Sequence, residues 1–335
     1  MKYIKFIFML ALLPILMGCN KERKYFPNNP EEPIKVIRFD SAIVHIDQND
    51  VTNGVRALYR SYPTFITAWV EDILGIPSED TATLVEQLPK FLNDTVYGFR
   101  TTNQTEQEEY ADIADIRANL NSAFGRIHSL YPDWEKPTIY LMVSGFQTSV
   151  YFVDDTTIAV GADMYLGSQY EYYNKLVYNY QKQTMRRECM VADIVSAYLF
   201  HHIDYTANEA RLIDQMIYRG KVMYLLKQIN PQPEYEVIGW DKKSWDWCCD
   251  NEEGIWMHMM DTRDIYATDA LTISNYLNDG PFCSEISQDC PARVGTWIGM
   301  RIVRSYMENN RNVTLQQLME EGDTQAILTK SKYKP

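Results

Sequence analysis

The hydrophobic positions along this chain are spaced mainly as in amphipathic helices, with a short β-rich region in the middle. Apolar side chains recur every three or four residues in four segments, which predicts helices with one buried face. These segments are 65–74, 84–92, 191–202 and 213–224. Short runs rich in β-branched and aromatic residues predict strands. They lie at 138–144, 148–153 and 157–160.

The remaining patterns extend this outline. Residues 34–39 alternate in polarity, which predicts an edge strand, and Asp154-Asp155 between two β-rich runs predicts a hairpin turn. A capping box at Thr105-x-x-Glu108 predicts the start of a long helix that ends near Tyr131, and Thr314-x-x-Gln317 predicts another helix start. The order of elements predicts an α+β fold, predominantly helical with a small mixed sheet, in a single large domain.

The N-terminal segment has the three regions of a lipoprotein signal. Lys2 and Lys5 precede an apolar run from Phe6 to Met17, and Gly18 stands directly before Cys19. The run is shorter than the roughly 20 residues that span a bilayer, so we expect cleavage before Cys19 and anchoring by acyl chains such as palmitate. Asn20, which replaces the aspartate of inner-membrane retention signals, favours the outer membrane.

These boundaries divide the chain into three parts. Residues 1–18 form the expected signal peptide, and residues 19–33, which hold three prolines, form the expected lipid anchor and flexible tether. Residues 34–335 form the α+β domain. Residues 1–18 contain two lysines and no acid, so their removal changes the formal charge from −13 to −15. An acidic balance of this size argues against nucleic acid as a partner and against a polybasic grip on anionic lipid.

The cysteines permit a disulfide without specifying one. Apart from Cys19 the chain has five, an odd number, so at least one thiol stays unpaired within a single chain. Cys283 and Cys290 bracket a polar loop of eight residues, and a bridge there would contribute about 2.5 kcal/mol in the chain-entropy model. Two unpaired thiols are the alternative.

Motifs of common catalytic chemistry are missing from the sequence. None of the five histidines is followed by glutamate, and there is no Gly-x-Ser-x-Gly elbow, Walker sequence or dinucleotide-binding glycine pattern. His201 and His202 have two interpretations. One is a metal site completed by Asp204 and Glu209, and the other is a pair of helix-end histidines that interact with the negative end of the helix dipole. We therefore expect no metal and no cofactor.

Adjacent acids and clustered aromatics are weaker candidates. The pairs Asp154-Asp155 and Glu252-Glu253 suit general acid and base chemistry, but such pairs are usually solvated. Six tyrosines between 165 and 180 suit glycan or peptide binding as well as core packing. They are Tyr165, Tyr170, Tyr172, Tyr173, Tyr178 and Tyr180.

Local strings over most of the mature chain resemble those of the GldB family of gliding-motility lipoproteins. They are Arg38-Phe39-Asp40, Gly161-x-Asp163-Met164-Tyr165-Leu166-Gly167, Leu212-Ile213-Asp214, Met216-Ile217-Tyr218-x-Gly220-Lys221, Asn251-Glu252, Gly280-Pro281-Phe282, Arg293-x-Gly295-x-Trp297-Ile298-Gly299, Ile302-Val303 and Ser331-Lys332-Tyr333-Lys334-Pro335. The resemblance implies a component of the envelope apparatus for gliding and its associated secretion route.

The family is also similar in plan to zincin metallopeptidases, which carry His-Glu-x-x-His on one helix and a third ligand on a second helix. Aligned in this way, Arg187-Glu188-Cys189-Met190-Val191 takes the place of the zinc motif, and Arg219-Gly220 takes the place of Glu-Gly. Valine cannot bind zinc, and guanidinium groups repel a dication. The resemblance thus implies a zincin-like scaffold without its metal, with Glu188 as the remaining general base.

Two functions follow from the resemblance. The first is a noncatalytic lipoprotein of the outer membrane, facing the periplasm, which binds other envelope proteins in a cleft near Arg187, Glu188, Val191, Arg219 and Tyr165. The alternative is a zincin-like envelope peptidase or hydrolase that uses unconventional residues, such as Glu188 with His201 or His202. A glycan or peptide receptor that uses the tyrosines is a further hypothesis.

Overall fold

The computed structural model of the protein describes residues 23–335. The signal segment 1–18 and the lipidation site Cys19 lie outside the described residues. Within 23–335, no helix combines the length and the apolar character needed to cross a bilayer.

A four-stranded mixed sheet organises the domain. Its strands are β1 (Lys35–Arg38), β2 (Thr138–Met142), β3 (Val150–Asp154) and β4 (Thr157–Gly161), in the spatial order β1-β2-β4-β3. β2 pairs in parallel with β1 and with β4, whereas β3 is antiparallel to β4. The predicted strands and the hairpin are confirmed, and β1 lies at an edge as expected.

Both faces of the sheet are covered by helices. Ile139, Leu141 and Ile158 point into the larger of two apolar cores, and Met142 and Ala159 point into the smaller one. This division follows from the alternation of side chains along a strand. The result confirms an α+β fold with a small mixed sheet in one domain.

The helices fall into three groups along the chain. Before the second strand lie α1 (Phe39–Val44), α2 (Val51–Ser61), α3 (Pro63–Asp72), α4 (Thr81–Leu92), α5 (Phe99–Glu109) and α6 (Ala114–Leu130). After the sheet come α7 (Tyr173–Leu176), α8 (Arg187–His202), α9 (Leu212–Ile229), α10 (Glu234–Ile238), α11 (Lys242–Asp250) and α12 (Glu252–Asp261). The C-terminal group is α13 (Ala270–Leu277), α14 (Val294–Asn309), α15 (Leu315–Glu320) and α16 (Thr324–Ser331).

Glycines allow α9 and α14 to pack backbone against backbone. A Cβ atom on Gly299 would lie 1.8 Å from the carbonyl oxygen of Met216, and one on Gly220 would lie 2.2 Å from the carbonyl carbon of Gly299. Neither position has room for a side chain. This crossing fixes where α9 lies relative to the rest of the larger core.

The long helix expected over 105–131 is two helices, α5 and α6, and the predicted capping box at Thr105 is wrong. Thr105 lies inside α5, where its hydroxyl donates to the carbonyl of Thr101. The chain turns after Glu109 because Tyr110 is buried beneath the guanidinium groups of Arg38 and Arg187. The capping box at Thr314 and Gln317 is confirmed.

The segment expected to be a flexible tether lies against the domain from Arg23 onward. The Tyr25 hydroxyl is 3.0 Å from that of Tyr224, and the backbone N–H of Glu32 donates to the carbonyl of Asn121 at 2.9 Å. Pro30 packs so closely on α6 that a Cβ on Gly125 would lie 2.3 Å from its oxygen. Tyr25 and Phe26 pack on the larger core and stabilise the position of this segment against the domain.

Candidate functional site

A cleft of about 640 Å³ opens between α8 and α9. Its other walls are the start of β3, the turn after β4, α10 and the segments before α8 and α14. Both polar and apolar side chains line it. The polar side chains include Ser149, Asp193, Ser196, Arg219, Glu236, Asp279, Arg293 and Thr296, and the apolar side chains include Met164, Met185, Phe200, Met223 and Leu226.

Asp193 supplies a carboxyl group to the cleft. Its Oδ2 atom accepts a hydrogen bond of 2.9 Å from the hydroxyl of Tyr165, which is itself buried. Desolvation raises the pKa of Asp193 to about 6, although the Tyr165 hydrogen bond and the nearby Arg293 favour its charged form. The carboxyl group therefore titrates close to neutral pH.

Two arginines bring positive charge to the cleft, which also holds the carboxyl groups of Glu236 and Asp279. The guanidinium of Arg293 forms an ion pair with Asp279 and donates to the carbonyl of Ile238 at 3.0 Å. The guanidinium of Arg219 donates to the carbonyl of Leu277 at 2.8 Å, and within residues 23–335 it forms no ion pair. Burial lowers the pKa of Arg219, and Arg293 lowers it further.

One further polar group in the cleft lacks a partner. The hydroxyl of Thr296 is buried and makes no hydrogen bond within the described structure. Buried polar groups are usually paired, so this unpaired hydroxyl is an exception. The cleft thus offers a cation and a carboxyl group beside an apolar surface.

Of the five residues that we expected near a cleft, the structure brings two together there. Tyr165 and Arg219 line it, but Arg187, Glu188 and Val191 do not. Arg187 turns away from the cleft, donates to the carbonyl of Asp112 between α5 and α6, and pairs with Asp115 in the first turn of α6 at 2.5 Å. Glu188 is exposed, and its nearest ionic partner is Arg186 at 3.9 Å.

The position of the cleft on α8 explains this difference. Its cleft-facing residues include Ala192, Asp193, Ser196 and Ala197, and the first of them lies about a turn and a half beyond Arg187. Several of these positions have the four-residue spacing of the histidines in a zinc motif, but none of them is a histidine. Across residues 23–335, no three His, Cys, Asp or Glu side chains are grouped so that they could hold a metal ion.

The histidines of α8 belong to the opposite end of that helix. His201 stacks on Phe152 with ring centroids 4.0 Å apart and approaches Asp155 at 3.2 Å. His202 Nδ1 is 3.0 Å from the carbonyl oxygen of Tyr198. Thirteen residues separate Glu188 from His201, or about 20 Å along a helix, so these groups do not share one site.

The other sequence candidates have structural partners. Glu252 pairs with Arg301 at 2.9 Å and accepts a hydrogen bond from Tyr333, while Asp154 accepts from the N–H of Thr156 in the hairpin turn. Among the clustered tyrosines, Tyr173 is buried and donates to the carbonyl of Asp163, whereas Tyr178 is exposed.

Cys283 and Cys290 lie beside each other as free thiols. The N–H of Cys283 donates to the carbonyl of Cys290 at 2.8 Å, and both side chains are buried. A disulfide between them stays a prediction.

Sequence reasoning missed Asp193, Arg293 and Thr296. A signal for the first was present, because Asp193 and Ser196 are polar residues three apart in a helix that is otherwise largely apolar. Arg293 and Thr296 gave no such signal, since the cleft reaches them only through the packing of α14 against α9.

Comparison with known proteins assigns the chain to a family. No curated protein and no solved structure gives a significant match. The family model described as gliding motility protein GldB matches residues 20–335. Since this match covers nearly the whole chain, the protein belongs to the GldB family of gliding-motility lipoproteins.

Proposed function

We propose that this protein is a noncatalytic component of the gliding-motility or associated secretion machinery, anchored to the outer membrane by acyl chains on Cys19. Its body faces the periplasm and binds a peptide segment of another envelope protein in the cleft between α8 and α9. The GldB family membership and the lipoprotein signal support the location. The zincin-like origin of the scaffold stays a prediction.

The guanidinium of Arg219 carries the proposal for the cleft. A half-buried cation normally has an acidic partner, because burial without one costs free energy. Arg219 instead makes hydrogen bonds to the carbonyl of Leu277 and the side chain of Asn278. We infer that its partner is a carboxylate of the bound segment, either an acidic side chain or a carboxyl terminus.

The other walls suit an extended peptide. β3 is an edge strand, and its first residue, Val150, lines the cleft together with Ser149. Main-chain groups at a sheet edge can pair with an added strand. Met164, Met185 and Phe200 offer apolar contacts beside the polar groups, and methionine adapts to differently shaped partners.

The same residues argue against metal-assisted hydrolysis at this site. Arg219 would repel a dication in the cleft, and two of the three carboxylates there, Glu236 and Asp279, are already paired with arginines. On α8 the cleft-facing residues Asp193, Ser196 and Ala197 do not form the imidazole pair on which zinc peptidases depend. The net charge of the body does not preclude a carboxylate ligand, because charges are screened beyond about 8 Å at physiological ionic strength.

Lipidation is tested by labelling in cells. We expect radiolabelled palmitate to be incorporated into the wild-type protein and not into Cys19→Ala, because the cysteine thiol is the acyl acceptor. Cys249→Ala, which removes an exposed thiol of the folded body, is the matched control and should be labelled normally. Equal labelling of wild type and Cys19→Ala would refute the anchor.

Partner binding is tested by affinity capture of the tagged lipoprotein from detergent-solubilised envelopes. We expect Arg219→Gln to recover at least tenfold less of the main partner than wild type, since a hydrogen-bonded charged group contributes about 1.5–3 kcal/mol. Arg56→Gln, at a helix surface remote from the cleft, should not change recovery. Circular dichroism verifies that both variants are folded.

The second step uses peptides. A synthetic segment of the captured partner, with its carboxylates intact or amidated, is titrated into the protein and followed by fluorescence polarisation. We expect amidation of the peptide and the Arg219→Gln substitution to weaken binding by similar factors. The two changes together should weaken it no further, because each removes the same ion pair. Unchanged capture by Arg219→Gln would show that the partner binds outside the cleft.

A further inference from the structure

Three segments of the chain come together at one surface that is basic, although the protein as a whole is acidic. The guanidinium of Arg23 donates to the carbonyl of Val313 at 2.9 Å, and the side chain of Asn310 donates to the carbonyl of Lys330 at 3.2 Å. These contacts join residues 23–25, 309–314 and 329–335. We call this surface the basic patch.

The charge of the patch is opposite to that of the protein. Its three segments contain six cationic side chains and no Asp or Glu, whereas the whole chain has 45 acidic and 32 basic residues. All six are exposed at the residue level. They are Arg23, Lys24, Arg311, Lys330, Lys332 and Lys334.

Two acidic side chains border the patch. Glu308 precedes it in the last turn of α14. Glu252 approaches it through the hydroxyl of Tyr333, but Glu252 is already paired with Arg301 at 2.9 Å. Arg23 and Lys24 form no ion pair with another described residue.

The patch also lies where the chain leaves the domain toward Cys19. Four peptide steps separate Cys19 from Arg23, so their Cα atoms are within about 14 Å of each other in any conformation. The segment after Arg23 is held by the contact of Tyr25 with Tyr224 and by the packing of Pro30 on Gly125. An anchor at Cys19 therefore holds this surface close to the lipid headgroups.

We propose that the basic patch rests on the anionic phospholipid surface in which Cys19 is anchored and thereby fixes the orientation of the domain on the membrane. Lysine and arginine side chains close to an anionic leaflet each strengthen binding by about fivefold. The net negative charge of the protein argued against a polybasic contact with anionic lipid. It keeps the rest of the body away from the leaflet. This inference rests on the proposed lipid anchor and is independent of the partner in the cleft.

The test uses the lipidated protein in vesicles of phosphatidylcholine alone or with 30% phosphatidylglycerol, followed by hydrogen exchange and mass spectrometry. We expect backbone amides of 23–25, 309–314 and 329–335 to exchange at least threefold more slowly on the anionic vesicles. Because the contact is electrostatic, 0.5 M NaCl should abolish the difference.

Charge-matched variants separate the patch from net charge. Lys330→Glu, Lys332→Glu and Lys334→Glu together should abolish the protection on anionic vesicles. The control combines Lys35→Glu, Lys175→Glu and Lys243→Glu, three exposed positions outside the patch, and should keep it. Equal exchange on both vesicle types, or equal loss in both triple variants, would overturn the proposal.

The same experiment distinguishes this proposal from the anchor. The mass of the N-terminal peptide in each digest reports whether Cys19 is acylated. If it is not, the anchor fails, and the patch is then tested by flotation of the same protein with anionic vesicles. Binding that requires phosphatidylglycerol and Lys330, Lys332 and Lys334 would support the patch, and its absence would exclude it.

Discussion

Gly299→Ala is expected to lower the free energy of unfolding by about 3 kcal/mol or more, which is the upper range for overpacking a tightly filled core. The added Cβ would lie 1.8 Å from the carbonyl oxygen of Met216, in the backbone of another helix. α9 and α14 would have to separate, and with them the cleft residues Arg219 and Met223 on α9 and Thr296 on α14. Urea denaturation followed by tryptophan fluorescence measures the change.

Gly254 provides the matched control for this experiment. It is also inside a helix, α12, but a Cβ there would meet no atom within 4 Å. Gly254→Ala should therefore raise the free energy of unfolding by about 0.5–1 kcal/mol, because alanine loses less backbone freedom on folding. If both substitutions had the same effect, close approach of the two helices would not be what requires Gly299.

Glu106→Gln is expected to stabilise the protein at neutral and alkaline pH. Glu106 is fully buried, and neither carboxylate oxygen accepts a hydrogen bond within the described structure. Desolvation raises its pKa well above the ordinary value of 4.5, and the negative charges of Asp40 and Asp163 raise it further. Arg38, which is paired with Asp40, opposes this rise only in part. We infer that Glu106 is protonated in the folded protein.

The sign of the pH dependence follows from this raised pKa. The folded state holds a proton that the unfolded chain releases above about pH 4.5, so this group's contribution to stability falls as pH rises toward its folded pKa. The slope is at most about 1.4 kcal/mol per pH unit. Glutamine keeps the shape and a donor without the ionisation, so the variant should gain relative stability throughout that range.

Denaturation at a series of pH values between 4 and 9 measures this effect. The difference between Glu106→Gln and wild type should be smallest near pH 4 and grow with pH. Glu253→Gln, at an exposed position of α12, is the matched control for the loss of a carboxyl group at the surface. A constant difference for Glu106→Gln would mean that this carboxyl group does not take up a proton on folding.

Local patterns in the sequence predicted the elements that local physics controls. The strands at 138–142 and 157–161 followed from β-branched residues, and the start of α15 followed from Thr314 and Gln317, whose contacts lie within one helical turn. The break between α5 and α6 could not be predicted in this way. It depends on Arg38 and Arg187, which reach Tyr110 from distant parts of the chain.

The cleft shows the same limit. Arg219 and Tyr165 were expected near it through a family resemblance, yet the face of α8 that lines it begins at Ala192, beyond the segment aligned with a zinc motif. Helical periodicity identifies the faces of a helix but does not say which neighbour covers each face. The packing of α9 against α14 determined which face of each helix lines the cleft.

By itself, the sequence predicted a lipoprotein signal and determined the α+β class and most helices and strands, because each is encoded by residues within a few positions of one another. Tertiary structure decided which polar groups share the cleft, why Glu106 is buried beside Asp40, and how a basic surface forms on an acidic chain. Those properties depend on contacts between segments as far apart in the chain as Arg23 and Val313. The amino-acid composition does not reveal such contacts.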